Sequence, residues 1–171
     1  MAQKIKTDPT DIYVDSLKTA LDRSDKCAIY SVGILAIGMI AVASPSGPHG
    51  ITLPGGLRIA STNAAFIVIL AAHLLNGFRY CFYLKRAAEI ATTLPSEIRK
   101  ALSSHPSPAT SNVMTESVQS LLLSVLTFPI VKEVFEVPAL IQFGLAAALT
   151  SPFVVGAVKM RKHLNFALPK A

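Results

Sequence analysis

No charged residue lies between Lys26 and Arg58. Within that gap, residues 27–44 form an apolar run of 18, about 27 Å long as a helix at 1.5 Å per residue. That length crosses a bilayer core of roughly 30 Å with little mismatch. Pro45 and Gly47 then stop the helix. A second charge-free run covers 61–78 and ends at Arg79, and a third of 22 residues covers 137–158. A further apolar stretch, 113–131, reaches spanning length only by including Glu116 near one end. Pro129 and Pro152 fall inside the last two segments, where each removes a backbone donor and is expected to kink its helix.

Composition agrees with this reading. Hydrophobic residues make up 51% of the 171 and charged residues only 15%, against roughly 25% charged in ordinary soluble domains. The mean hydropathy is +0.50. A soluble chain of this length has too much surface to hide so much apolar sequence. An ordinary soluble enzyme and a disordered chain are both excluded on that ground.

The basic residues set the topology. Lys4, Lys6, Lys18, Arg23 and Lys26 precede the first span. Arg79, Lys85, Arg86, Arg99 and Lys100 lie between the second and third, and Lys159, Arg161, Lys162 and Lys170 follow the fourth. Arg58 and Lys132 alone fall on the other side. This bias places both termini of an inner-membrane protein in the cytoplasm. Ala41-Val42-Ala43 has the look of a signal-peptidase site, but five aspartates precede the apolar run, so a retained span is expected.

The fold class that follows is an all-α membrane protein with four transmembrane helices. Residues 1–26 form a cytoplasmic amphipathic arm, in which Asp8-Pro9-Thr10-Asp11 starts a helix and Tyr13, Leu17, Ala20 and Leu21 recur at helical spacing. Its apolar stripe is suited to the membrane surface or to a neighbouring subunit. Residues 27–158 form the transmembrane domain, with a cytoplasmic linker at 79–112, and 159–171 form a basic tail. In the outer loop, Ile51-Thr52-Leu53 and Leu57-Arg58-Ile59 flank Pro54-Gly55-Gly56, which reads as a short β-hairpin. The linker continues the second span as one long helix through Glu89 and Ile90, and Pro95 opens a second short helix over 96–102.

Catalytic signatures do not emerge. There is no phosphate-binding glycine loop, zinc spacing or nucleophile elbow, so neither an enzyme nor a cofactor is expected. Cys27 and Cys81 fall at the cytoplasmic ends of antiparallel spans and are read as reduced, inert thiols. His49, His73, His105 and His163 are too scattered for a metal site.

Three constellations remain. Ser117, Ser120, Ser124 and Thr127 step by three, four and three residues, which places them on one helix face with Glu116 at its cytoplasmic end. Such a stripe either lines a water-filled path or lets helices pack closely through hydroxyl hydrogen bonds. His73 and Asn76 share one face of the second span, as gate contacts or as an interhelical hydrogen bond between subunits. Arg79, Lys85, Arg86, Arg99 and Lys100 form a basic cytoplasmic surface, with Tyr80, Phe82 and Tyr83 interleaved in its first part. The plain reading is topology and contact with anionic lipid. The sharper one is a site for a phosphate-rich ligand. Gly144 and Ala148 make a small-residue pair, to which Ala146, Ala147 and Gly156 add, and it favours close helix approach within or between subunits; four helices alone leave no room for a wide pore. A path on the symmetry axis of a homo-oligomer is the expectation. The alternative is a non-conducting scaffold or accessory subunit of a larger membrane complex.

The amphipathic arm, the paired spans with the short hairpin over 51–59, and the basic helix over 79–89 together resemble the small membrane effectors of bacterial antiphage defence operons, the Hailong-type HalB channels among them. The resemblance is one of size and layout, and no residue roles transfer with it. It implies an oligomeric channel gated by a nucleotide or oligodeoxynucleotide that a partner nucleotidyltransferase makes.

Overall fold

The computed structural model describes residues 9–43, 51–52, 58–59, 63–102, 113–156 and 158. Helices carry nearly all of them: α1 (Pro9–Ala43), α2 (Asn63–Thr93), α3 (Ser96–Leu102), α4 (Val113–Val134) and α5 (Ala139–Val155). Between α1 and α2, β1 (Ile51–Thr52) pairs antiparallel with β2 (Arg58–Ile59), Ile51 opposite Ile59 and Thr52 opposite Arg58. The expected Pro54-Gly55-Gly56 turn lies outside the described residues, as do His49, His105 and the basic tail.

Two helices, α1 and α2, are long and apolar enough to cross a membrane. At 1.5 Å per residue their 35 and 31 residues extend about 52 and 46 Å, well beyond a core of roughly 30 Å. Only 33% and 39% of the residues in their most apolar stretches are buried inside the fold. The remainder present large apolar side chains outward, among them Ile29, Ile40, Val68, Leu75 and Phe78. α4 and α5 do the same with Leu121, Val125, Leu140 and Phe143.

α1 begins in the arm and runs unbroken through the expected first span. Its buried positions Leu17, Leu21, Ser24, Ala28, Ser31, Leu35 and Gly38 alternate steps of four and three, the seam spacing of a coiled coil. On α2, Phe66, Leu70, His73, Gly77, Tyr80, Leu84, Ala87 and Ala91 follow the same rhythm. The apolar stripe of the arm therefore has a partner within the chain. Leu17, Ala20 and Leu21 are buried in one core with Leu84, Ala87 and Ala91 of the projecting half of α2. This corrects the expectation that the stripe lies on the membrane or on another subunit. Of the four residues assigned to it, only Tyr13 stays exposed.

α5 docks on α2 through glycine. A Cβ added at Gly77 would stand 2.9 Å from the Phe153 ring and 3.0 Å from Pro152 Cβ. The Phe153 ring stacks on His73 at 5.2 Å and lies 5.3 Å from Tyr80, so it fills the notch that Gly77 leaves between them. Gly156 repeats the device in reverse, meeting Tyr80 and Cys81. Gly38 of α1 admits Ile130 of α4 and Ile69 of α2 in the same way. Gly144 and Ala148, expected as the packing pair, are both exposed. Among the described residues, Ala146 of α5 and Gly156 just past its end are the buried ones of that expected set.

Pro152 does not end α5. It leaves the Ala148 carbonyl without its usual N–H partner, and the Ser151 hydroxyl donates to that carbonyl at 2.6 Å. The turn from α4 to α5 is closed by Gln142, whose Nε2 donates to Phe135 O at 2.9 Å. Regular α-helix in α5 ends at Val155, short of the expected 158.

Gly77→Ala should lower the thermal unfolding midpoint in detergent, because overpacking a filled notch costs ~1–3 kcal/mol. Gly144→Ala, where a new Cβ meets nothing within 4 Å, should leave the midpoint unchanged. Equal effects would show that the α2–α5 notch is not a close contact.

Candidate functional site

The N-terminal half of α1 and the C-terminal half of α2 line an open pocket of about 570 Å³. Asp15, Thr19 and Arg23 line it from α1, and Phe82, Tyr83 and Arg86 from α2. The Arg23 guanidinium lies 5.8 Å from the centre of the Tyr83 ring, within range of a cation–π contact. Phe82 and Tyr83 meet edge to face with centroids 5.6 Å apart. The pocket thus offers two guanidiniums, two aromatic faces and the Thr19 hydroxyl. Two arginines can fork onto phosphate oxygens while an aromatic face stacks on a base. Asp15 opposes an anion on its own wall, and the two arginines outnumber it.

The five basic residues proposed for a ligand separate in space. Arg86 lines the pocket. Lys85 faces away and pairs with Glu89 at 3.7 Å on an exposed surface, where such pairs contribute little. Arg79 lines a second, more apolar groove further along the seam with Tyr30 and Leu75. A hydrogen bond to the Tyr83 side chain holds its guanidinium above its usual value, so it stays cationic. Arg99 sits in α3, with its N–H on the Pro95 carbonyl at 3.0 Å. The Lys100 side chain lies outside the described residues. Arg23 is the residue that sequence reasoning missed. It was counted only as a topology charge, and the pairing of the arm with α2 that brings it to Arg86 has no local signature.

The hydroxyl stripe turns inward where it is described. Thr127 is fully buried and donates to Leu123 O at 2.6 Å. Ser124 lies 3.1 Å from the Thr150 hydroxyl of α5, and Thr150 also donates to Ala146 O at 2.7 Å. Glu116, Ser117 and Ser120 lie on α4, but their side chains are outside the described residues. Asn76 and His73 are both buried. Asn76 Nδ2 donates to Cys27 O at 2.8 Å and to the Ser31 hydroxyl at 3.3 Å, which ties α2 to α1 within one chain. His73 stacks on Phe153, and neither of its ring nitrogens has a hydrogen-bond partner among the described residues.

Both cysteines are free. The Cys81 thiol donates to Pro152 O at 2.8 Å, and burial pushes its pKa up. Such a thiol is a poor nucleophile near neutral pH. Among the described residues no group of acidic, histidine or cysteine side chains is arranged to hold a metal ion.

No known protein family, curated protein or solved structure matches the chain. The site is therefore read from its own geometry.

A short single-stranded oligodeoxynucleotide is the probe for the pocket. Replacing Arg23 and Arg86 together by Gln should weaken its binding and flatten the log–log salt slope by ~1.4, since each phosphate contact in a single strand contributes about 0.7. Lys85→Gln, whose charge already faces Glu89, should have a smaller effect. Unchanged binding in the double variant would remove the pocket from consideration.

Proposed function

We propose that the chain is a multispan protein of the bacterial inner membrane that assembles with copies of itself and conducts ions under control of a cytoplasmic polyanion. One observation carries this reading. The two helices that bound the arginine pocket are the same two that continue, without a break, into the bilayer-length apolar segments. A ligand drawn between Arg23 and Arg86 changes how the projecting halves sit against each other, and rigid helices pass that change into the spans. It shifts a gate only by the difference in its affinity for the two states.

The finer topology extends the same reading. Spans at 27–44, 61–78, 113–131 and 137–158 leave both termini in the cytoplasm, with the paired residues of the outer loop on the other face. The outward-facing apolar side chains of α4 and α5 support their membrane contact. The conducting path lies on the oligomer axis; Ser124 and Thr127 are spent within the chain, so only the end of the stripe beyond them, at Glu116, Ser117 and Ser120, is proposed as its lining. The layout shared with antiphage-defence effectors is the support for taking the polyanion as a nucleotide or oligodeoxynucleotide from a partner nucleotidyltransferase.

A second reading has its own support. Ser124, Thr127 and Thr150 spend their hydroxyls on each other and on helix carbonyls. That is how polar residues join helices in a scaffold. A non-conducting accessory subunit needs nothing more.

Topology is tested first. In a background lacking Cys27 and Cys81, a His49→Cys variant should label with an impermeant maleimide from outside, and His105→Cys only from the cytoplasm. Labelling of position 49 from the cytoplasm alone contradicts the arrangement. Function is tested by ion flux in proteoliposomes with the oligodeoxynucleotide on the cytoplasmic face. Flux that Ser120→Leu reduces severalfold, with assembly intact, supports the conduit. No flux from an intact oligomer, with or without ligand, supports the scaffold.

A further inference from the structure

On the face of the α1–α2 pair that the other helices leave uncovered, a groove of about 610 Å³ runs along the seam. Tyr30, Gly33, Ile34 and Ile37 line it from α1, and Leu75 and Arg79 from α2. Its chemistry is graded along its length. The apolar side chains and the bare Gly33 backbone lie along the span, and Arg79 stands at the cytoplasmic end of the charge-free run. Gly33 opens the groove, because a Cβ there would meet nothing within 4 Å. From Tyr30 to Ile37 the helix rises about 10 Å, enough for the upper half of one acyl chain.

Arg79 is exposed, and Tyr83 engages only part of its fork. A guanidinium carries five N–H donors in a plane and matches two oxygens of one phosphate. Tyr30, beside it and largely exposed, has the amphipathic ring that favours the headgroup boundary.

We propose that this groove is a binding site for one anionic phospholipid of the cytoplasmic leaflet, its phosphate on Arg79 and one acyl chain laid over Gly33 towards Ile37. The proposal rests on reading α1 and α2 as membrane spans. The absence of a headgroup cation is what favours an anionic lipid. A zwitterionic ethanolamine head would bring its ammonium up to Arg79, whereas a glycerol head adds no cation. The lipid bridges α1 and α2 on the side opposite the Phe153 notch, at the level where Asn76 already ties them.

The test uses the full chain reconstituted in vesicles of equal parts phosphatidylglycerol and phosphatidylethanolamine, released in mild detergent and weighed by native mass spectrometry. One retained phosphatidylglycerol per chain is expected, enriched about fivefold over phosphatidylethanolamine, as one basic group near an anionic surface gives. Arg79→Gln should abolish the enrichment while a lipid is still retained. Gly33→Phe, which puts a ring into the groove from a position with open space for its Cβ, should lose the retained lipid. Lys26→Gln removes a neighbouring charge that does not line the groove and should keep the enrichment. Retention of both lipids in their bulk ratio, or an enrichment that survives Arg79→Gln, overturns the site. So does protection of the groove by a second copy of the chain, seen as a dimer that Gly33→Phe dissociates. Release of the protein from vesicles by alkaline carbonate is a separate result, and overturns the membrane reading on which the site rests.

Discussion

In the membrane arrangement proposed above, the seam between α1 and α2 has to work in two solvents. One rhythm of fours and threes runs from Leu17 to Gly38 on α1, and from Phe66 to Ala91 on α2. The half away from the charge-free runs is filled by Leu17, Leu21, Leu84 and the alanines of α2, where burial from water drives the pairing. Along the apolar half that force is absent, because lipid is as apolar as leucine. There the seam mixes Leu35, Phe66 and Leu70 with Ser31 and Asn76, which hydrogen-bond across it, with His73, which stacks on Phe153, and with glycines that allow close approach. The remaining helices depend on that half. Phe153 reaches α2 only because Gly77 leaves a notch between two rings.

The fold buries an apolar core with a few polar side chains in it, and it also leaves many large apolar side chains on its surface. Thr127, Thr150, Ser31, Asn76 and His73 are inside, while Ile29, Val68, Leu75, Leu140 and Phe143 are outside. Water on that outer surface would cost roughly 25 cal/mol for every Å² of apolar area exposed. A bilayer removes the cost, and the charges fall where a bilayer ends, at Lys26 and Arg79. The pocket between Arg23 and Arg86 and the groove at Arg79 then sit at successive depths of one helix pair. This is why a soluble ligand is proposed for the first and a lipid for the second.

Much of this was legible in the sequence, and the failures are instructive. The charge-free runs located the apolar parts of α1, α2 and α5, because charge exclusion is a local property. The long continuation of α2 and the break at Pro95 before α3 were also readable from neighbours in the chain. What the arm packs against was not. Leu17 and Leu84 are far apart in sequence, and the seam that joins them mixes leucine with serine, histidine and glycine, which hides its period. The hydroxyl stripe was found as a pattern, yet its direction was not, since pairing Ser124 with Thr150 depends on how α5 docks. Arg23 was missed for the same reason. Of the small residues that the sequence offers near the end of the chain, Ala146 and Gly156 are buried within it and Gly144, Ala147 and Ala148 face outward, because helix contact is decided by which face the neighbour occupies.

The central claim is that the uncovered face of α2 passes from lipid into water between Phe78 and Lys85. Nitroxide labels on single cysteines at Val68, Leu75, Lys85 and Glu89, all exposed in the fold, measure this directly in proteoliposomes through collision with oxygen and with a water-soluble nickel chelate. The account predicts that Val68 and Leu75 collide with oxygen and not with nickel, and that Lys85 and Glu89 do the reverse. Nickel access at Val68 and Leu75 equal to that at Lys85 and Glu89 would contradict it.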